Sequence, residues 1–447
     1  MADENDSFFS DSIRSTRSSR SSSDSEAPLI GDEERLINDL QNRDRPNNSK
    51  GSSFGAYINV TCLMAGTGVL GLPEAINKGG WLSLGLIVMS MIIALYTSII
   101  IIRCLYYNGK SRLSSYGEIG QHAFGTFGRY LVEFFHKITL IGVTVLYLVL
   151  AAENLDKLAQ HYYLGTTAWT CICAAFVGVP FIFTKTLKEV VSISIFGTFA
   201  TLFCIIAIVI LSFADWSNVR NSPDPPSHKI LDLSGIPISL ATISFSYGGN
   251  NVFPHIEESM QKPRHWNRVI TAALCTCAAM YSLVAFSGYL VYGNKTLNPI
   301  LKVLPEGLLL TSASVLIIIH VLLTIPILMT SLAIDIEKYL KITRQHRSKV
   351  VEFLLRAVFR ISLILLSVGI AVTIPYFDDI MSLLGAMSTC LFVFVLPVLF
   401  YLKLFGWERM SLLMLTWNAF VILIGLFGCV IGSINAIKRL FEDFFEG

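Results

Sequence analysis

Two glycine-rich interruptions in an otherwise apolar chain constrain its fold more than any other feature. The first is Ala65-Gly66-Thr67-Gly68-Val69-Leu70-Gly71-Leu72-Pro73-Glu74. The second is Ser246-Tyr247-Gly248-Gly249-Asn250-Asn251-Val252-Phe253-Pro254-His255. Laid over one another they keep register: a Gly-rich stretch, then a Pro, then an ionisable residue. Each lies inside a long apolar segment, where Gly and Pro both oppose a continuous helix. Lipid supplies no hydrogen-bond partner to an unwound backbone, so such a stretch persists where it lines a cavity. Interrupted segments at matching places in two halves of a chain point to a transporter's substrate site. The two breaks are five spans apart, an odd number, so the halves enter the membrane in opposite senses. That is the pattern of an inverted-repeat secondary transporter.

Composition agrees with a membrane protein. The 447 residues are 53% hydrophobic and 15% charged, against about 25% charged in soluble domains. The charges gather in short clusters between long apolar runs. A net charge of +2 is set by loops and carries no message about partners, and nothing resembles the basic, base-reading surface of a nucleic-acid binder. Nine cysteines (Cys62, Cys104, Cys171, Cys173, Cys204, Cys275, Cys277, Cys390, Cys429) fall within or at the edge of apolar runs, so no disulfide framework is expected. The Cys171/Cys173 and Cys275/Cys277 spacing suits no common metal motif, and buried small apolar roles fit better. There is no phosphate loop, no metal-ligand spacing and no nucleophilic triad. Neither an enzyme nor a cofactor is expected.

Residues 1–50 are polar and Ser-rich with interleaved Arg, a composition that cannot bury a core and reads as a disordered tail. No apolar run follows Met1, so no cleavable signal peptide is expected. Serines flanked by Asp and Glu suit phosphorylation, though a merely solvated tail fits the same composition. Asp32, four residues before Leu36-Ile37, matches the acidic dileucine signal that cytosolic sorting adaptors read for vacuoles and lysosomes; a chance match or short amphipathic turn is the bland alternative.

From residue 51 to 447 the chain reads as one all-α transmembrane domain. Eleven apolar segments approach the roughly 20 residues that a bilayer core requires: 54–78, 81–103, 132–152, 168–184, 190–213, 235–260, 268–291, 307–334, 353–374, 380–402 and 412–436. Basic residues orient them. The tail's side carries Arg103, Lys110, Arg112, Arg129, Lys185, Lys188, Lys262, Arg264, Arg268 and a cluster from Lys338 to Lys349, whereas the opposite loops carry few. The positive-inside rule places the N-terminus in the cytosol, and eleven spans place the C-terminus in a lumen. Asn294-Lys295-Thr296 is then a luminal glycosylation sequon.

A broken helix exposes orphan N–H groups at one new end and orphan C=O groups at the other. The half-helix that starts near Leu72-Pro73 presents partial positive charge, suited to a carboxylate. Carbonyls around Met64–Gly66 and Phe245–Tyr247 suit an ammonium group. Together the poles match a zwitterion, an α-amino acid. The candidate substrate residues are therefore Ala65, Gly66, Thr67, Gly68, Val69 and Leu70 with Ser246, Tyr247, Gly248, Gly249, Asn250 and Asn251. Helix–helix packing is the alternative role for any single Gly cluster. Pro73 and Pro254 open the second half-helices, where a missing N–H costs nothing, whereas Pro326 and Pro397 read as ordinary kinks. Ionisable groups within spans tend to mark function. The proton-coupling candidates are His320 in mid-span 8, His255 and Glu257 after the second break, Glu74 after the first, and Glu153 ending span 3. Hydrogen-bonded core or interfacial roles are the alternatives for each.

The segments Asn59–Pro73 and Ser244–Pro263 resemble the amino acid/auxin permease family, most closely its fungal vacuolar and vesicular inhibitory amino acid transporters. The resemblance runs from about Ser53 to the C-terminus. It implies a five-plus-five inverted repeat with broken helices 1 and 6, plus an eleventh helix, and a site between spans 1 and 6 flanked by spans 3 and 8. Glu74 departs from the aromatic or aliphatic residue common there in the family. By this resemblance the chain is expected to be a proton-coupled transporter of vacuolar or lysosome-like membranes, loading neutral amino acids into the lumen by antiport. Proton or sodium symport out of the lumen, and an amino-acid sensor signalling through the tail, are the alternatives. The expected partners are an amino acid, protons, the lipid bilayer and sorting adaptors.

Overall fold

The computed structural model describes residues 51–446 except 110, 160–162, 184–189, 341 and 343–348. The tail and its Asp32, Leu36, Ile37 pattern lie outside the described residues. Apart from one isolated bridge between Gly51 and Met260, the regular secondary structure among the described residues is helical. Among the described residues, ten segments are long and apolar enough to cross a bilayer.

Span 1 is two helices, α1 (Ser53–Met64) and α2 (Leu72–Gly79), joined by a tight 3₁₀ turn at Thr67–Gly71. The Ser52 hydroxyl caps α1 by accepting from the Gly55 N–H at 3.0 Å. Pro73 sits in the first turn of α2, where its ring and missing N–H do no harm. α3 (Ser83–Leu105) is span 2. Span 3 is α4 (Tyr116–Leu158), twice the expected length. It starts early because Ser115 accepts from Glu118 N–H and the Glu118 carboxylate accepts from Ser114 N–H at 2.7 Å, a reciprocal cap of the kind that nucleates helices. At Phe124–Gly125 the helix kinks, with Gly125 at φ 65°, left-handed backbone that favours Gly. Residues 116–123 thereby fold back, and a Cβ at Gly128 would stand 2.2 Å from the Gly120 carbonyl oxygen. α5 (Gly165–Phe183) and α6 (Val190–Arg220) complete the first half.

Span 6 repeats the design of span 1. α7 (Ile236–Ser246) and α8 (Phe253–Ser259) flank an irregular stretch, and Pro254 sits in the first turn of α8. The expected count of eleven crossings is reached only by taking this short pair as one. α9 (Trp266–Tyr292), α10 (Leu308–Tyr339) and α11 (Lys349–Thr373) follow. Span 10 is a third irregular segment, one that its apolar sequence conceals. α12 (Phe377–Leu384) passes through two π-turns, Gly385–Thr389 and Leu391–Val395, into α13 (Leu396–Phe405). Pro397 opens α13, so it ends an irregular stretch rather than kinking a continuous helix. α14 (Leu412–Glu446) closes the chain.

The broken spans lie at the centre. α7 packs on α2, on the first π-turn of span 10 and on α14, while α1 packs on α6 and α9. α10 packs on α4 and α6. Ion pairs sit where polar side chains meet inside the bundle. Arg360 of α11 pairs with Glu337 of α10 at 2.7 Å, donates to the Phe181 carbonyl at 2.6 Å and lies over the Phe181 ring. One side chain thus ties the middle of α11 to the ends of α5 and α10. Gly51 bonds with Ser259 and Gln261 on the near face, where the described chain begins. Arg439 of α14 pairs with Asp378 on the opposite, far face.

Backbone meets backbone where span 10 crosses α7. A Cβ at Gly385 would stand 2.0 Å from the Ala241 carbonyl oxygen, while a Cβ at Gly369 meets nothing within 4 Å. Gly385→Val is expected to cost more than the about 1–3 kcal/mol of ordinary overpacking and to remove most monodisperse protein from a detergent size-exclusion profile. Gly369→Val in the same profile is expected to match the wild type.

Candidate functional site

The two breaks touch. A Cβ at Gly68 would lie 2.7 Å from the Ser246 hydroxyl oxygen and 2.9 Å from its Cα, so the first break crosses the end of α7 with no side chain between them. This crossing accounts for Gly at 68 more directly than ligand approach does. On either side of it, α1 ends at Met64 and α7 at Ser246, and both present carbonyls inward. The Tyr281 hydroxyl of α9 lies 2.7 Å from the Met64 oxygen and 2.7 Å from the Ser246 oxygen. A phenol has one proton to give, so two helix-end carbonyls share one donor. The sequence led us to expect these carbonyls to be open to an ammonium group; in this conformation Tyr281 occupies the point where they converge.

Of the twelve residues expected at the site, only Gly248 and Asn251 keep partial exposure. Ala65, Thr67, Val69 and Leu70 are buried. A Cβ at Gly66 would sit 3.5 Å from the Tyr147 hydroxyl of α4. Gly248 faces Thr389 in the first π-turn, and Gly249 faces the Phe253 ring. The polar side chains of the second break divide between two neighbours. Asn250 turns to α3: its Oδ1 accepts from Ser98 at 3.2 Å and its Nδ2 donates to Thr97 at 3.2 Å. Tyr247 points the same way, donating to the Ile87 carbonyl at 3.1 Å while its ring stands edge-on to Tyr281. Asn251 turns instead to α4, where its Nδ2 lies 2.9 Å from His136 Nδ1.

The five proton-coupling candidates do not form a chain. His320 lies in the interior of α10 and is buried. Its ring and the Cys62 sulfur both lie against Gly197 of α6, within 3.1 Å of where a Cβ would stand. Its Nδ1 is buried without a hydrogen-bond partner among the described residues. Glu257 is fully buried on the near face, pairing with Arg112 at 2.9 Å and accepting from Tyr106 at 2.6 Å. Arg112 also bonds to the Pro254 carbonyl and lies 3.7 Å from Glu258. His255 is exposed beside this group. Glu74 lies on the far face, 2.8 Å from Lys78, accepting from Asn77 at 2.8 Å and Thr296 at 2.9 Å. Glu153 pairs with Lys302 at 3.0 Å.

In the Asn294 sequon, Asn294 is exposed while Thr296 is buried with its hydroxyl on Glu74. The sequon threonine thus belongs to the far-face network.

Sequence reasoning missed Tyr281, Tyr147, Thr389 and His136. The first three carry no periodic or motif signal, since aromatic and hydroxyl residues on apolar helices are ordinary core. His136 was within reach, because it is ionisable and lies inside the expected third span.

Tyr281→Phe keeps the ring and leaves two buried carbonyls without their donor. It is expected to cost about 1–3 kcal/mol of stability, read as a lower midpoint in thermal melting of purified protein. A variant that melts with the wild type would mean the shared bond carries no net weight.

Residues 49–438 match the family model described as transmembrane amino acid transporter protein. Amino acid transporter AVT1I of Arabidopsis thaliana is 30% identical over 380 residues, covering 82% of this chain and 90% of the relative. Amino acid transporter AVT1J of the same plant is 29% identical over 430 residues, covering 93% and 96%. Among solved structures, a Na+-coupled sialic acid symporter superposes with TM-score 0.56 at 11% identity, over 92% of this chain and 96% of that one. MhsT in complex with L-phenylalanine superposes with TM-score 0.52 at 13% identity, over 90% and 100%. These structures share the fold alone. With the family model spanning nearly all of the membrane region, two breaks in contact at its centre and the amino acid transporters among its relatives, this chain belongs to the transmembrane amino acid transporter family.

Proposed function

We propose that the chain exchanges luminal protons for cytosolic neutral amino acids across a vacuole-like membrane, with substrate held between the two broken spans. The observation that carries this is the crossing at Gly68 and Ser246, flanked by the inward carbonyls of Met64 and Ser246. Helix-end carbonyls carry partial negative charge and the start of α2 partial positive charge. A zwitterion entering here would take the carbonyls from Tyr281 through its ammonium group, while its carboxylate faces the N–H groups at the start of α2. Small residues at the crossing limit the size of the side chain that fits, and none of Ala65–Leu70 or Ser246–Asn251 carries a charge that would balance a charged one, which favours neutral amino acids. Alternating access follows from opening one face at a time, with the Arg112–Glu257 group closing the cytosolic side and the Glu74–Lys78–Thr296 group the luminal side. The vacuolar location rests on the resemblance of the break segments and on the Asp32, Leu36, Ile37 pattern.

His320 is the proton carrier in this reading. It sits at the seam of α1, α6 and α10 with a ring nitrogen that has no hydrogen-bond partner among the described residues. Imidazole is the side chain whose ordinary titration range lies nearest neutrality, and ionisable groups within spans tend to mark function.

The reading is tested with purified protein in sodium-free liposomes, acidic inside, by following labelled neutral amino acids and internal pH together. Uptake with matching alkalinisation of the interior is expected. Uptake only when the gradient is reversed, or only with sodium, would replace antiport by symport. His320→Ala is expected to alter the pH dependence of that uptake, and an unchanged profile would return His320 to a packing role.

A further inference from the structure

His136 lies on the crossing part of α4, beyond the kink at Phe124–Gly125, with its Nδ1 2.9 Å from the Asn251 amide nitrogen in the second break. Both residues are partly exposed, in contrast to most of the break. A nitrogen-to-nitrogen contact works in one protonation state only. The amide N–H donates to an Nδ1 that carries no proton, which leaves the ring proton on Nε2. When the ring takes a second proton, Nδ1 becomes a donor facing a donor. The contact then survives only if the amide turns over to present its carbonyl oxygen. The charged ring therefore admits only the turned-over Asn251, whereas the neutral ring admits the present orientation through its Nε2–H tautomer.

The surrounding charge is modest. His255 approaches from α8, and Glu133 and Lys137 flank His136 on its own helix. Glu133 is already held by Arg129 at 2.7 Å and Lys137 at 3.8 Å. Asn251 is thus the polar group in direct hydrogen-bond contact with His136 Nδ1. The position has a counterpart. His136 is on span 3 and His320 on span 8, equivalent spans in a five-plus-five repeat; His136 contacts Asn251 of span 6, while the His320 ring and Cys62 of span 1 lie against the same glycine, Gly197.

We propose that His136 is a second proton-coupling residue. A proton taken from water onto Nδ1 turns over the Asn251 amide and so changes the break against which substrate is held; loss of that proton lifts the constraint and lets the amide return. No bond within the protein is made or broken beyond these hydrogen bonds. The inference rests on the proton-coupled reading above and adds to it the group through which protonation reaches the second break.

The test measures binding of a labelled neutral amino acid mixture to purified full-length protein from about pH 5 to 8, the range in which histidine titrates, beside uptake in liposomes. His136→Gln keeps a side chain that donates or accepts but does not titrate, and is expected to flatten the pH dependence of binding. Asn251→Asp presents only acceptors. A carboxylate beside the ring favours its charged form, so the pH midpoint is expected to rise by about one unit or more. Because the two variants are read independently, poor folding of one leaves the other decisive. Wild-type binding without a pH midpoint, or midpoints that neither variant moves, would overturn the proposal. Binding curves moved by both variants, with no proton exchange in liposomes, would sink antiport and leave His136 as the pH-reading group. Proton exchange with unmoved curves would do the reverse.

Discussion

Unwound backbone inside an apolar slab needs partners, and lipid has none to give. The rest of the structure is arranged around that requirement. Tyr281 is placed so that one hydroxyl serves the carbonyl ends of both α1 and α7. Asn250 hangs the second break on Ser98 and Thr97 of α3, and Tyr247 fastens it to the Ile87 carbonyl. Within the break, the Gly248 N–H returns to the Phe245 carbonyl at 3.0 Å. Spans 2 and 7 thus form a cradle for spans 1 and 6. Glycine at 68 and 385 lets the first break and span 10 approach the backbone of α7 closely.

The same requirement applies to charge. A buried ion left without a partner costs about 3–5 kcal/mol, so charges that enter the bundle are met there. Arg112 and Tyr106 hold both oxygens of the buried Glu257 on the near face. Lys78, Asn77 and Thr296 hold Glu74 on the far face, and Asn298 with Arg439 holds Asp378 beside it. Each group grips the half-helix leading away from a break, α8 on the near face and α2 on the far face. On the proposed reading, a transporter that opens one side at a time would loosen these groups in turn, with gates at the outer ends of the half-helices and substrate at the crossing.

Much of this was legible in the residues. The in-register Gly-Pro pattern located both breaks to within a residue or two, and Pro73 and Pro254 stand in the first turns of α2 and α8 as expected. Long apolar runs located the crossings. The extent of α4 was not legible, because a polar, Gly-containing stretch at 116–131 reads as loop until the Ser115–Glu118 cap and the fold-back at Gly120–Gly128 are seen. The π-turns of span 10 were hidden for a related reason: an apolar segment looks the same whether its hydrogen bonds run to the fourth or the fifth residue. Pro397 hinted at irregularity without locating it.

Local sequence determined where the chain breaks, because Gly and Pro act on their own backbone and lipid makes any such break conspicuous. It also determined that the chain is a polytopic membrane protein, through the length and apolarity of its segments. Tertiary structure alone decided what each break faces. Asn250 and Asn251 are adjacent and chemically identical, yet one is turned to α3 and the other to His136. Ser246 meets Gly68 from far along the chain, and Tyr281 joins two carbonyls from opposite halves. A side chain's direction follows from the register of helices distant in sequence, and that register emerges only when the whole bundle packs.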